Sequence, residues 1–115
     1  MKIVVIGGSG FIGGHVVQAL IKAKHKVAIY DLKKPSFDCK SSKFFKGNIS
    51  NKKLLTRAIK GADVVYNFAA LADIDKAKNK PLETIKVNIE GAIQILKICK
   101  LNKTKKIIHA SSIYA

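Results

Sequence analysis

Three glycines, Gly7-x-x-Gly10-x-x-Gly13, stand directly between a β-branched run and a helical apolar pattern. That placement constrains the fold more than any other feature of the chain. Residues 2 to 6 read as a strand buried on both faces. From Phe11 to Lys24 apolar residues recur at helical spacing, with Phe11, Ile12, Val16, Ala19 and Leu20 on one side. A strand that turns straight into a helix needs glycine for physical reasons. Gly7 allows the tight exit from the strand, Gly10 lets the backbone approach a pyrophosphate, and Gly13 permits close packing of helix on sheet. The helix start adds free N–H groups and the positive end of the helix dipole, both suited to an anion. A glycine turn alone is weak evidence, because a tight turn with no ligand has the same spacing. Asp31 strengthens it. This acid closes the next strand, close to the roughly 20 residues after the turn at which a carboxylate can accept from ribose hydroxyls.

The rest of the chain repeats the strand–helix alternation. A second strand is predicted over 26–30, a polar loop over 33–42, a third strand over 43–46 and a helix over about 51–60 with Ser50 as its N-cap. Gly61 ends that helix, and a fourth strand covers 63–68. A connection with about one helical turn follows over 69–80. Pro81 opens a long helix to about Leu101, whose buried side is Ile85, Val87, Ile89, Ala92, Ile95, Leu96 and Cys99. A fifth strand covers 105–110. The fold class is therefore α/β, a Rossmann-type doubly wound parallel sheet of five strands in order 3-2-1-4-5. Residues 1–115 read as one domain.

Composition decides between function classes only at the charge. The formal net charge is +15, yet Arg57 is the one arginine among 22 basic residues. The lysines are scattered, and no aromatic residues are interleaved with them as a stacking platform requires. Base readout and bidentate phosphate contacts favour arginine. A solvated lysine-rich surface is therefore preferred to a specific nucleic-acid footprint, with weak, salt-sensitive polyanion binding expected from charge alone. No run approaches the roughly 20 apolar residues of a membrane span, and no signal segment precedes the first strand. Cys39 and Cys99 lack metal-ligand spacing, so no metal and a cytoplasmic, reducing location are expected. His15, His25 and His109 have no ligand-spaced partners, and packing or solvent is the reading for each.

The string Val-Ile-Gly-Gly-Ser-Gly-Phe-Ile-Gly (5–13) resembles the opening of the extended short-chain dehydrogenase/reductase family, the NAD-dependent nucleotide-sugar epimerases and dehydratases. Gly47-Asn48-Ile49 is similar to that family's Gly-Asp-Ile element, and Asn67-Phe68-Ala69-Ala70 to its His-Leu-Ala-Ala element. Val87-Asn88-Ile89-Glu90-Gly91-Ala92 is similar to the Asn-containing stretch of its long helix, and His109-Ala110-Ser111-Ser112-Ile113-Tyr114 to the serine-rich end of its fifth strand. The resemblance implies that Gly7, Gly10, Phe11, Ile12 and Gly13 hold the cofactor with Asp31, which favours NAD over NADP. Lys33 and Lys34 nearby could soften that preference. It implies further that the Asn48 amide oxygen and the Ile49 N–H reach the adenine. Phe68, Ala69 and Ala70 would lie along the cofactor, and Asn88 would support the site or serve a local structural bond. Ile6 departs from the family's common threonine and Asn48 from its aspartate.

Ser112 matches the family's active-site serine or threonine, with Ser111 as the alternative. Tyr114 is rejected as the catalytic tyrosine, because the resemblance implies that the family's Tyr-x-x-x-Lys pair would fall after residue 115. The 115 residues are thus expected to be the NAD-binding part of a longer epimerase, dehydratase or oxidoreductase acting on a small molecule, by resemblance a nucleotide sugar. Alone they are expected to be inactive, and the full-length protein to be a homodimer. A non-catalytic dinucleotide sensor on the same fold is the alternative.

Overall fold

The computed structural model describes residues 1–69, 81–82 and 86–110. Its centre is β1 (Lys2–Ile6), the first strand of the sequence and the middle strand of the sheet. β1 pairs in parallel with β2 (Lys26–Asp31) on one side and β4 (Val64–Asn67) on the other, Val4 facing Ala28 and Val65. β3 (Lys43–Lys46) adds to β2, and β5 (Lys106–His109) adds to β4. The order is β3-β2-β1-β4-β5, as the alternation of elements predicts.

The β-branched run of β1 explains the layering. Alternate side chains of a strand point to opposite faces, so Val4 and Ile6 enter one core while Ile3 and Val5 enter another. The first core lies beneath α2 (Lys52–Ile59) and α3 (Gly91–Asn102), with Tyr30, Leu55, Ile59, Val65, Ile95 and Cys99. The second lies beneath α1 (Phe11–Lys22), with Val17, Val27, Ile29 and Val64. Burying both faces of one strand fixes helices on both sides of the sheet.

Several local expectations shift. Phe11 and Ile12, at 84% and 62% exposure, do not pack into the core, and Ala19 is exposed too. The face of α1 laid on the sheet is Gly13, Gly14 and Val17. The cap of α2 is Asn51 rather than Ser50, its Oδ1 accepting from the Leu54 N–H at 3.1 Å. The helix predicted from Pro81 is helical at 81–82, forms a π-helical turn over Lys86–Glu90, and becomes regular α-helix at Gly91. Ile95, Ile98 and Cys99 are its buried side, while Ile89 and Leu96 are exposed. Ala70, Ser111 and Ser112, and most of the predicted 69–80 connection, lie outside the described residues. Among the described residues no helix is long and apolar enough to cross a membrane.

Candidate functional site

The glycine turn is built by three different constraints. Gly7 leaves β1 with φ of +80°, a left-handed conformation that favours glycine. Its N–H donates to the Tyr30 carbonyl at 2.8 Å, so the turn stays anchored on β2 as it departs. A methyl group on Gly7 would lie 2.9 Å from the Phe68 carbonyl carbon, because the chain leaving β4 passes directly against the turn. Gly13 is tighter still. A methyl group there would lie 2.1 Å from the Gly7 carbonyl oxygen. Gly10 differs from both: the nearest atom to a methyl group would be the Gly7 oxygen at 3.4 Å, ordinary contact. Nothing among the described residues requires glycine at position 10.

The opening amides of α1, those of Phe11, Ile12 and Gly13, precede the first helical bond, from the Gly14 N–H to the Gly10 carbonyl at 2.8 Å. As the first amides of a helix they have no carbonyl partner within it. Phe11 and Ile12 stand exposed at the rim of the turn, Phe11 edge-on to His15 with ring centroids 4.9 Å apart. The Ser9 hydroxyl is buried and has no hydrogen-bond partner among the described residues. An orphaned polar atom in a loop of free donors is a feature a bound anion would resolve.

Asp31 sits where the sequence predicts. One carboxylate oxygen accepts from the Ser9 N–H at 2.9 Å and the other from the Lys33 N–H at 3.3 Å. The acid thus fastens the end of β2 to the glycine turn, with the exposed Lys33 and Lys34 beside it. Its carbonyl accepts from the Gly47 N–H at 3.0 Å, which carries the chain into the 47–49 turn. There the Tyr30 hydroxyl donates to the Asn48 carbonyl at 2.6 Å, and burial pushes the phenol up to about 12. The Asn48 Oδ1 already accepts from both the Ser50 N–H, at 3.0 Å, and the Ser50 hydroxyl, at 3.1 Å. That oxygen shapes its own turn. Ile49 is buried and lines a pocket of about 90 Å³ with Ser50, Glu90, Gly91 and Gln94.

At the end of β4, Asn67 is 3% exposed. Its Oδ1 accepts from the Ala69 N–H at 3.0 Å, which turns its amide nitrogen toward His109 Nδ1 at 3.2 Å. Both side chains were legible only as the polar ends of apolar strands. Their pairing across the β4–β5 register fixes the backbone at 68–69 against Gly7. His109 therefore has a partner, although its ring is exposed. Phe68 stacks on Tyr66 at 6.0 Å between centroids. Asn88 is half-buried in the π-helical turn and is engaged there.

The structure thus gathers Gly7, Gly10, Gly13, Asp31, Phe68 and Ala69 at the carboxyl ends of β1, β2 and β4. This is the point where the strand order reverses and open α/β sheets bind ligands. Asn48 and Ile49 follow β3 at the same end of the sheet. Ala70, Ser111 and Ser112 cannot be placed in this arrangement, because they fall outside the described residues. Among the described residues no group of three or more His, Cys, Asp or Glu side chains could hold a metal ion.

Residues 3–115 match the NAD dependent epimerase/dehydratase family. A UDP-glucose 4-epimerase from Lactobacillus helveticus is 32% identical over 97% of this chain and 36% of its own length. The human sterol-4-alpha-carboxylate 3-dehydrogenase, decarboxylating, is 33% identical over 94% of this chain and 28% of its own length. Among solved structures, the Thermus thermophilus UDP-glucose 4-epimerase in complex with NAD superposes with a TM-score of 0.90. It is 29% identical over 97% of this chain and 38% of its own. The chain spans about a third of the length of these proteins.

Proposed function

The chain belongs to the NAD-dependent epimerase/dehydratase family, and from that premise we propose that it is the cofactor-binding part of an enzyme that moves a hydride at a sugar or alcohol carbon. The observation that carries the reading is the open face of Gly10, where among the described residues neither a close contact nor backbone strain calls for glycine, beside a buried and unpartnered Ser9 hydroxyl. The residues fit a dinucleotide. Its pyrophosphate would lie on the amides of Phe11, Ile12 and Gly13, within reach of the unpartnered Ser9 hydroxyl. Asp31 would accept from the ribose hydroxyls and repel a 2′-phosphate, which selects NAD over NADP. Phe68, Ala69 and Ala70 would line the path toward the reactive end, with Asn88 as support. When bound, NAD supplies the hydride-accepting ring.

Ser112, with Ser111 as the alternative, would donate to the substrate oxygen whose charge changes, and a Tyr-x-x-x-Lys pair further along a longer chain would move the proton. The substrate class is a nucleotide sugar, supported by the epimerases among the relatives. The dehydrogenase relative leaves the reaction type to parts of the protein that choose the substrate. Ile89, Ile93 and Leu96 form one exposed apolar stripe on the π turn and α3, which supports a homodimer of the full-length protein. Two free cysteines fit a cytoplasmic location.

Fluorescence titration with NADH and NADPH in parallel tests the reading. Saturable NADH binding, tighter than NADPH, is expected. No NADH binding would refute it. NADH binding without turnover of any nucleotide sugar by the full-length protein would favour a dinucleotide sensor.

A further inference from the structure

The pocket behind the 47–49 turn holds a group that the glycine turn does not use. Its walls are Ile49, Ser50, Glu90, Gly91 and Gln94. Ile49 gives an apolar wall at the exit of β3, and Gly91 opens the opposite wall at the start of α3. Glu90 and Gln94 are four residues apart and so share one helix face. Glu90 occupies the position before α3, yet its carboxylate makes no capping hydrogen bond. Neither the Glu90 nor the Gln94 side chain has a hydrogen-bond or ion-pair partner among the described residues. On the 47–49 turn, the Asn48 amide oxygen already accepts from the Ser50 N–H and hydroxyl. The pocket therefore offers one apolar wall and one uncommitted anionic acceptor, while the acceptor on the β3 side is already committed.

We propose that Glu90 is the residue by which this chain recognises the 6-amino group of the adenine, the purine face lying on Ile49 and the amino group donating to the Glu90 carboxylate. This rests on the NAD reading above and assigns the base-selecting residue within it. A carboxylate can only accept, so it accommodates an amino group and repels a carbonyl oxygen at the same position. Gln94 and Ser50 carry both donors and acceptors and adapt to either base. Selectivity for a 6-amino over a 6-oxo purine then resides in Glu90.

The test compares NADH with its hypoxanthine analogue, reduced nicotinamide hypoxanthine dinucleotide, on cofactor-free full-length protein. Both ligands are titrated by nicotinamide fluorescence against the wild type and Glu90→Gln. The wild type is expected to bind the hypoxanthine analogue at least about 10-fold more weakly, because the exposed Glu90 carboxylate would be covered by the base and left facing a carbonyl oxygen. In Glu90→Gln the amide can donate to the 6-oxo group, and the gap is expected to shrink to about 3-fold or less, through tighter analogue binding as well as weaker NADH binding. A gap unchanged by Glu90→Gln overturns the assignment while leaving the cofactor reading intact. Equal binding of both ligands by the wild type also overturns it. Failure of the wild type to bind NADH removes the cofactor reading and this assignment with it. A loss of both ligands in equal proportion in Glu90→Gln would mark a merely structural role and overturn the assignment too.

Discussion

Alanine at Gly13 and alanine at Gly10 separate the two reasons for glycine in this turn. At Gly13 the new methyl carbon would lie 2.1 Å from the Gly7 oxygen, where ordinary contact begins at 3.4 Å, a shortfall of about 1.3 Å. The Gly7 carbonyl has little room to yield, because it accepts from the Gly10 N–H and its residue is held at φ of +80°. Relief has to come from lifting α1 off the sheet, which loosens the fully buried Val17 from Ile29 and Val5. Overpacking of this kind costs about 1–3 kcal/mol in typical cores, and a backbone-to-backbone clash belongs at the top, about 3 kcal/mol. With a urea m-value of about 2 kcal/mol/M, the unfolding midpoint falls by about 1.5 M. Gly10→Ala clashes with nothing among the described residues, and its φ of −78° and ψ of 179° suit alanine. Its stability is expected to stay within about 0.5 kcal/mol of wild type, the sum of a small capping loss and a small entropic gain. Even so, Gly10→Ala should lose at least about 10-fold in NADH affinity by displacing the pyrophosphate, a binding loss with no matching loss of stability. Urea unfolding followed by circular dichroism, with NADH titration of the same samples, reads both effects. An unshifted midpoint for Gly13→Ala, or wild-type NADH binding by Gly10→Ala, would refute the reasoning.

Asp31→Ser should weaken NADH by about 10-fold and improve NADPH relative to it, since the change removes the repulsion of a 2′-phosphate; parallel titrations with an unchanged ratio would count against the ribose role. Tyr30→Phe leaves the Asn48 carbonyl without its 2.6 Å donor and should cost about 1–2 kcal/mol by urea unfolding. In the wild type the folded phenol lies near 12, above the unfolded value of about 10, so its contribution is complete below pH 10 and is lost as the pH rises toward 12. Absorbance titration at alkaline pH should show a late-ionising tyrosine phase, and Tyr30→Phe should abolish it. Burial pushes the Cys99 thiol up, outweighing its hydrogen bond with Thr104. Under native conditions a thiol reagent should therefore label the half-buried Cys39 first, with Cys99 reacting only on unfolding, as peptide mapping will show.

The strand order and the glycine–acid pair were legible because their signals are intrinsic to the residues. A β-branched run at residues 3–6 has few folded uses other than a buried strand, and Gly7 and Asp31 end adjacent parallel strands. The faces of helices were less legible. Phe11 and Ile12 look like core by size and spacing, but Gly13 and Gly14 occupy the surface against the sheet. A glycine face gives no hydrophobic signal. The cap of α2 moved from Ser50 to Asn51 because both can cap, and Ser50 is taken by Asn48. The π-helical turn at 86–90 inserts a residue into the ladder without changing the apolar pattern that a period count reads. The Asn67–His109 pair was hidden for a different reason. It depends on register between strands that are 42 positions apart in sequence.

The position of β1 also sets a schedule. Ile3 pairs with Val27 on one side and Val64 on the other, so its second neighbour is made about 60 residues after it. At a synthesis rate of about 5–20 residues per second, the nascent chain waits roughly 3–12 s with that edge unmatched. During that interval the most apolar strand of the domain is an open template for the wrong partner. A first strand in the middle of its sheet therefore leaves one of its edges unmatched until more than half of this chain has been made.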